Sequence, residues 1–302
     1  MTRKDYPALF SASDMASATT QNEYFRLLGL QLLLLVVASG LDSVVPMATP
    51  SFRRTFSLGT AVVLAVSVIL MWILLAKRSE KIWFDCRAVA ESVKTTTWRY
   101  LMHAPPYESG ANHVNVDAQF LSDLSEIRRA RPGIDEYLAG ADAGAAEITD
   151  YMRRVRALPV GKRREFYLQE RLLDQRTWYE DKARACRRSK VVYFWVVASL
   201  QVIALTIAMV QSAVDLGPIS VVSILMTIVA TCLAWAQAKR YEDLVNSYAL
   251  ASQELRVLES LAPHLSDVTG FQRFVADVED AISREHTMWS ARRSISMTPQ
   301  RR

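Results

Sequence analysis

Four long apolar runs dominate the chain, at residues 27–45, 56–76, 191–213 and 219–238. About 20 apolar residues, each rising about 1.5 Å along a helix, cover the roughly 30 Å hydrocarbon core of a bilayer. Two buried helices of a large soluble domain are the alternative interpretation of the last two runs, but soluble core helices rarely run so long without a charge. The pattern therefore predicts four transmembrane helices.

Basic residues flank these runs on one side. Lys77 and Arg78 follow the second run, and Lys239 and Arg240 follow the fourth. Five more precede the third run: Lys182, Arg184, Arg187, Arg188 and Lys190. They outnumber the two arginines of the first outer turn, and Lys and Arg are enriched in cytoplasmic loops. We therefore predict two helical hairpins with both termini in the cytoplasm, and contact of these five residues with anionic lipid headgroups.

The first run allows a second interpretation. It is weakened by Gln31 and Asp42, and small residues at 38–40 follow an apolar core whose length is also typical of a signal peptide. Cleavage there would leave three spans and remove the symmetry of the two hairpins. We expect four spans.

The chain contains an internal repeat. The tripeptide Ala-Lys-Arg ends the second run at residues 76–78 and the fourth run at 238–240. Apolar positions then recur every three or four residues in both copies, which is typical of a helix that packs along one stripe, as in a coiled coil. The stripes are Ser79, Ile82, Cys86, Val89, Val93, Thr96 and Tyr100 in the first copy, and Tyr241, Leu244, Tyr248, Ala251, Leu255, Leu258 and Ala262 in the second.

These patterns predict an all-α membrane protein in which each hairpin continues into a cytoplasmic helix, with a further helical cytoplasmic region. No run alternates as a strand does, and Pro105-Pro106 ends the first cytoplasmic helix. The predicted segments are an N-terminal cytoplasmic arm (1–26), a first hairpin with its helix (27–110), a helical linker region (111–163), and a second hairpin with juxtamembrane and C-terminal helices (164–302).

A second, more polar stripe lies on the helix after the first hairpin. Spacings of four, four, three and four place its members on one face: Trp83, Arg87, Glu91, Lys94 and Trp98. Near the C-terminus, Glu285 and Trp289 also share a face. These seven residues are the candidate oligomer or sensor face, and a polar seam between packed helices is the alternative.

The membrane runs carry a few polar side chains that are candidates for lining a pore: Gln31, Asp42, Gln201, Gln211 and Asp215. Four helices enclose little lumen, so a pore needs several copies around an axis. The alternative is hydrogen bonding between packed spans, at about 0.6 kcal/mol for each bond. Ionisable residues are missing from the middle of the runs, which disfavours an ion-coupled carrier.

Motifs of catalysis and cofactor binding are missing from the 302 residues. The sequence has no nucleotide loop, no HExxH and no recognisable nucleophile elbow. Its three cysteines, Cys86, Cys186 and Cys232, form no CxxC pair, which fits a reducing compartment and supports neither a disulfide framework nor a zinc site. We expect no enzyme activity, no cofactor, no metal and, despite a net charge of +5, no nucleic-acid partner.

Three stretches resemble a known family: WFDCRAVAESVKTTTWRYLMHAPPY (83–107), RLLDQRTWYEDKA (171–183) and DVEDAISREHTMWSARR (277–293). They resemble the SLATT family, the SMODS- and SLOG-associating two-transmembrane effector domains of bacteria, and the likeness implies two units in tandem. The resemblance also implies an effector of the bacterial inner membrane in anti-phage or other conflict systems. Such effectors are proposed to perforate or depolarise the membrane when a nucleotide-sensing or other defence-system partner triggers them. No individual residue role carries over.

The sequence leaves two main functions open. The leading hypothesis is a homo-oligomeric, pore-forming effector, an ion channel whose cytoplasmic helices control a path along the spans. The alternative is a membrane-anchored scaffold or sensor that recruits a partner and passes no ions. A small solute carrier is a third and less favoured function.

Overall fold

The computed structural model describes residues 1–108, 115–139, 145–214, 221–264 and 267–297, and all regular secondary structure in these ranges is helical. This confirms the predicted all-α class. The helices are α1 (Ala8–Val44), α2 (Pro50–Lys77), α3 (Ser79–Met102), α4 (Val116–Arg129), α5 (Asp135–Leu138), α6 (Asp150–Arg156), α7 (Val160–Tyr167), α8 (Asp174–Ala213), α9 (Val221–Lys239), α10 (Tyr241–Leu261) and α11 (Val268–Met297). A π-helical segment, Leu168–Leu173, joins α7 to α8.

The four predicted apolar runs fall on α1, α2, α8 and α9, and all four helices are long and apolar enough to cross a membrane. In the most apolar 18-residue window of each, only 6–11% of the residues are buried inside the chain. Apolar surface of this extent is unstable in water, so lipid or other protein must cover it.

Local chemistry explains where several helices begin and end. The Asn115 side chain accepts hydrogen bonds from the backbone amides of Asp117 and Ala118, at 3.1 and 3.2 Å, and so caps α4. Thr149 caps α6 in the same way through the amide of Met152, at 3.2 Å. The helix α3 ends at Met102, just ahead of the prolines at 105 and 106. The predicted end of this helix is confirmed.

The repeat seen in the sequence has a backbone counterpart. Arg78 separates α2 from α3 and Arg240 separates α9 from α10, and both residues adopt the left-handed conformation, with φ of 47° and 51°. This conformation costs a residue with a side chain about 1–2 kcal/mol, so it is seldom adopted without a structural need. Each copy therefore breaks its helix at the same residue of the same tripeptide.

The other two long helices have no such break. α1 begins at Ala8, well before the apolar run at 27–45, because Leu9, Phe10 and Ala16 in its first turns are buried in a hydrophobic core. α8 is continuous from Asp174 to Ala213 and contains the whole third run. The juxtamembrane segment and the third run therefore belong to one helix.

The chain forms two compact units. The first, which we call the head unit, comprises Met1–Gln21, Glu80–Ala183 and Asn246–Arg302. Its core contains the buried part of the α3 stripe (Cys86, Val89, Val93 and Tyr100) together with Trp98, Phe120, Met152, Tyr167, Tyr179, Leu255, Phe271, Val275 and Val278. Both copies of the repeat contribute to this core. The segment boundaries drawn from the sequence stay a prediction.

The second unit, which we call the span unit, comprises Asn22–Ser79 and Arg184–Val245. Within it α1 contacts α9: the rings of Phe25 and Trp235 lie 5.7 Å apart, and Thr227 Oγ1 donates to Ser39 Oγ at 3.1 Å. A Cβ atom at Gly29 would lie 3.4 Å from the Trp235 ring, which is an ordinary van der Waals contact.

Candidate functional site

The head unit contains a polar cavity of about 380 Å³, which we call the head cavity. Four elements supply its walls: the N-terminal segment, the start of α1, the middle of α3 and the π-helical segment with the start of α8. The polar side chains of its lining include Arg3, Tyr6, Asp14, Lys94, Glu170 and Arg171. Polar atoms predominate in the lining, and the side chains of Arg3 and Glu170 are 50% and 47% exposed, so the cavity opens to the surface. A polar interior of this kind indicates a place for water or a polar ligand.

Lys94 is the cation on the α3 wall of the head cavity. Burial lowers the pKa of its ammonium group below the ordinary value, and the charge of Arg171 lowers it further. Among the described residues, none forms an ion pair or a hydrogen bond with the Lys94 side chain. Its N–H donors are therefore available to another molecule.

Arg171 belongs to the wall that the π-helical segment forms, and an ion pair with Glu279 of α11 fixes its side chain. Nε and Nη2 of Arg171 donate to the two carboxylate oxygens of Glu279 at 2.9 and 2.7 Å, and Nη1 donates to Gln175 at 3.2 Å. The hydroxyl of Tyr167 donates to the same carboxylate at 3.0 Å. Burial disfavours the charged guanidinium, but the Glu279 carboxylate outweighs this effect and raises the pKa of Arg171 above its ordinary value.

The backbone at this wall is π-helical from Leu168 to Leu173. A π turn holds more residues than an α turn and changes the direction in which its side chains point, and such turns are frequent at functional sites. Here Glu170 lines the cavity and is 47% exposed, whereas the next residue, Arg171, is 1% exposed. The segment thus places neighbouring residues at the surface and in the core.

Tyr6 adds a hydroxyl to the head cavity. The indole Nε1 of Trp98 donates to the Tyr6 oxygen at 3.0 Å. Burial raises the pKa of the Tyr6 hydroxyl above its ordinary value, so the group stays protonated and keeps its own O–H donor at physiological pH. No acceptor for this donor is found in the part of the chain that the structure describes.

The residues predicted as an oligomer or sensor face lie within the head unit as far as they are described. Trp83, Glu91 and Trp98 are buried inside the chain. Arg87 is 34% exposed and pairs with Glu91, four residues further along the same face of the helix, at 2.5 Å. The side chains of Glu285 and Trp289 lie outside the described residues. The role of this face in oligomers or sensing stays a prediction.

The predicted pore-lining residues are found in different surroundings. Gln31 donates to Met71 Sδ at 3.4 Å, while its Oε1 is buried without a described partner. Gln201 is exposed on α8, in a groove of about 480 Å³ within the span unit. Asp42 is exposed near the end of α1, Gln211 is partly buried on α8, and Asp215 lies outside the described residues. Their role in a pore stays a prediction.

The five basic residues before the third run are all exposed on α8: Lys182, Arg184, Arg187, Arg188 and Lys190. Lys190 pairs with Glu242 at 3.0 Å, and Lys182 lies 5.6 Å from the centre of the Trp178 ring. Their exposure leaves them accessible to lipid headgroups, but the contact itself stays a prediction. Among the described residues, no three His, Cys, Asp or Glu side chains are grouped so that they could hold a metal ion.

The sequence alone did not identify Tyr6, Arg171 and Tyr167 as part of a site. A signal was present in the last helix, where Glu279 directly follows the apolar position Val278 and lies four residues after Val275. A carboxylate at the edge of an apolar stripe needs a cation or several donors when the stripe is buried. The partner, Arg171, lies far away in the sequence, so the pair could be recognised only in three dimensions.

The fold defines the class of protein: four apolar helices of spanning length make this a multi-pass membrane protein with a helical head unit. The family model described as SMODS and SLOG-associating 2TM effector domain 3 matches residues 7–164, and that of effector domain 1 matches residues 167–289. The chain therefore belongs to the SLATT family and carries two of its domains in tandem, as its sequence resemblance predicted. Membership supports a membrane effector of conflict systems. No curated protein and no solved structure matches the chain significantly.

Proposed function

We propose that the protein is an effector of the bacterial inner membrane, acting in anti-phage or related conflict systems, which assembles from several copies and opens a conducting path through the bilayer. A cytoplasmic partner or signal controls the opening. In this proposal both termini and the head unit lie in the cytoplasm, in agreement with the basic residues that flank the second, third and fourth runs. The family match and the four apolar helices support the membrane location.

The proposal of a conducting function rests on one observation, the unsatisfied side-chain amide of Gln201. Its amide is exposed on the third apolar run and forms no hydrogen bond with any described residue. In hydrocarbon an unsatisfied amide costs several kcal/mol. In an assembly of several copies, the amide can form hydrogen bonds with water in a lumen. At the edge of the lumen it can bond instead to a polar group of a neighbouring copy.

Two hydroxyl side chains of the same helix have no such need. Thr206 Oγ1 donates to the carbonyl of Val202 at 2.9 Å, and Ser212 Oγ donates to that of Met209 at 2.7 Å. Hydroxyl groups bonded back to their own helix are stable in lipid. Gln201 therefore differs from Thr206 and Ser212, and Thr206 supplies a matched control.

The surface of the spans supports assembly from several copies. Since 6–11% of each apolar window is buried inside the chain, most of the span surface remains free to pack against lipid or further copies. A lumen formed by several chains also needs no buried charge at the midplane, and the described spans carry none there.

The test is an ion-flux assay on the purified full-length protein in liposomes, with Gln201→Leu and the control Thr206→Val. We expect flux from the wild type and from the control, and at least a tenfold loss from Gln201→Leu. Chemical crosslinking in the same liposomes reports the number of copies. Because the controlling signal is unidentified, the assay is repeated in cells after induced expression, with a potential-sensitive dye. An unchanged membrane potential and normal growth during phage infection, when any trigger is present, would count against the proposal.

Orientation is tested separately by protease treatment of intact spheroplasts. The proposal expects the C-terminal segment to be protected until the membrane is opened. Cleavage in intact spheroplasts would place the head unit on the outer side and contradict the proposed control from the cytoplasm.

Recruitment of a partner without conduction is the second candidate, favoured by an exposed apolar stripe on α10. Leu250, Val257 and Leu261 are 49%, 63% and 50% exposed, and spacings of seven and four place them on one face. Exposed apolar stripes of this kind mark protein interaction sites. If this candidate is correct, Val257→Lys abolishes capture of a partner during infection and does not change ion flux.

A further inference from the structure

We propose that the head cavity is a binding site for a small soluble molecule that carries an oxyanion, a phosphate or a carboxylate, and that Lys94 and Tyr6 hold this group. Nothing in the family description assigns a ligand to the chain. The proposal concerns binding alone and is independent of whether the spans conduct ions.

The charges of the cavity leave Lys94 as its available cation. Asp14 pairs with Arg3 at 2.5 Å and Glu170 with the terminal amine of Met1 at 2.7 Å, while Asp174, the third carboxylate of the lining, has no ion pair with a described residue. Arg171 is held by Glu279. Lys94 alone among the described basic groups of the lining has no ion pair, although burial removes much of its hydration.

A bound oxyanion supplies what this lysine lacks. The charge of Arg171 repels that of Lys94 and lowers the pKa of the lysine, whereas the carboxylates of Glu91 and Glu279 act in the opposite direction. A negative group near Lys94 offsets this repulsion and replaces the lost hydration with charge-assisted hydrogen bonds, which are about twice as strong as neutral ones. A neutral ligand does not offset the repulsion.

Tyr6 supports the same chemistry from the N-terminal wall. Its hydroxyl accepts from Trp98 and still has a proton to donate, for which the described residues provide no acceptor. Lys94 and Tyr6 are thus two donors without acceptors on the lining of one cavity. An oxyanion carries two or three acceptor atoms and can bind both.

The size and lining of the head cavity indicate a soluble ligand. Its volume of about 380 Å³ lies near the lower end of the range for small-molecule sites, about 300–1,000 Å³. The lining is mostly polar, so an acyl chain would find little apolar surface there. This distinguishes the head cavity from the groove beside Gln201, whose lining is mostly apolar.

The experiment measures thermal unfolding of the purified full-length protein in detergent, with sodium phosphate or sodium acetate titrated against sodium chloride of equal ionic strength. We expect a saturable rise in Tm with at least one of the two oxyanions. Lys94→Met is expected to move the midpoint of the titration to at least tenfold higher concentration, and Tyr6→Phe to move it by a smaller factor. General salt effects on burial do not saturate and persist in the variants.

The control variant is Arg256→Met. Arg256 occupies the position of the second copy that corresponds to Lys94 in the first, but it is 64% exposed and pairs with Glu180 at 2.8 Å. We expect it to leave the titration midpoint unchanged. The proposal is overturned if neither oxyanion gives a saturable rise, or if Lys94→Met responds as the wild type does.

A second measurement covers the case in which Lys94→Met does not fold. The wild-type protein is treated with an amine-acylating reagent, and modification of Lys94 is followed by mass spectrometry with and without the effective salt. Bound oxyanion is expected to slow modification of Lys94 several-fold and to leave Lys162, an exposed lysine of the head unit, unaffected. Equal rates of Lys94 acylation in the wild-type protein with and without the salt would contradict the proposal.

Discussion

Arg171 and Glu279 form a two-point ion pair in the core of the head unit, where their side chains are 1% and 0% exposed. The pair joins the π-helical segment to α11, so it connects two distant parts of the second family domain, at residues 167–289. Three further groups complete it, since Tyr167 and Gln175 bind the pair and Tyr6 lies near it. Removal of either charge would therefore leave the other buried without a counter-charge.

Glu279→Gln is expected to destabilise the head unit by about 3–5 kcal/mol, because it leaves the guanidinium of Arg171 buried without a counter-charge. The combined change to Arg171→Met and Glu279→Met is expected to cost less than Glu279→Gln alone, since no charge then remains buried. The measurement is thermal or chemical unfolding in detergent. Glu165→Gln breaks the exposed pair with Lys162, 3.1 Å long, and serves as the control, with an expected change within about 0.5 kcal/mol.

Arg78→Gly and Arg240→Gly are each expected to stabilise the protein by about 0.5–1 kcal/mol, because glycine adopts the left-handed conformation without a steric penalty. The gain is reduced at Arg240 by loss of its ion pair with Asp243, 2.7 Å long. Arg78→Val and Arg240→Val are expected to destabilise instead. Unfolding of the four variants in detergent measures both signs.

Arg188→Gly provides the control for these glycines. Arg188 lies exposed inside α8, where glycine costs roughly 1 kcal/mol relative to a good helix former. If Arg78→Gly or Arg240→Gly destabilises the protein as much as Arg188→Gly does, the helix is not broken at that residue in the detergent-purified protein.

His103 is expected to make the head unit sensitive to acid. Burial lowers the pKa of its imidazole to about 4, and the charge of Arg156 contributes to the shift. The unfolded chain binds a proton near pH 6.5 and the folded chain does not, so this group stabilises the fold above that pH and the stabilisation is lost between about pH 6.5 and 4. Allowing for partial exposure, the loss is about 1–2 kcal/mol.

The measurement is the Tm of the wild type and of His103→Asn over this pH range. Asparagine tolerates the left-handed backbone at this position, where φ is 57°, and does not titrate. The fall in Tm with acid is expected to be smaller in the variant. Identical slopes would show that other groups account for the acid sensitivity.

Cys86 is expected to resist alkylation in the folded protein. Its side chain is fully buried, and burial, assisted by the charge of Asp85, raises the pKa of the thiol to about 11. The reactive thiolate is therefore scarce near pH 8. Mass spectrometry after brief treatment with a maleimide is expected to find Cys86 unmodified and Cys186, which is partly exposed on α8, modified. Modification of all three cysteines after unfolding is the control, and rapid labelling of Cys86 beforehand would contradict its burial.

Much of the fold follows from the sequence because apolar length and helical spacing are local properties. The four runs, the helices around Phe120 and Met152, and the end of α3 before the prolines were all predictable from such patterns. The short helix α5 was not, because it lies in a segment whose glycines and prolines favour a loop. The start of α1 at Ala8 was also missed, since burial of Leu9 and Phe10 depends on the rest of the head unit.

The candidate site was only partly predictable. Lys94 belongs to the polar stripe of α3, whose spacing shows in the sequence. The head cavity beside it needs the N-terminal segment and the π-helical segment, which approach α3 only in the folded chain. A π turn has no sequence signature comparable to the periodicity of an α-helix. The pairing of Arg171 with Glu279 required the fold for the same reason.

The matching helix breaks at Arg78 and Arg240 have a consequence for stoichiometry. Two copies of one building block have kept the same interruption, yet Lys94 in the first corresponds to the exposed, ion-paired Arg256 in the second. The copies therefore differ: the first has a lysine that lines a cavity, and the second has an exposed arginine in an ion pair. At saturation, each chain with its four apolar helices is expected to bind one oxyanion. Two identical copies of the repeat would bind two.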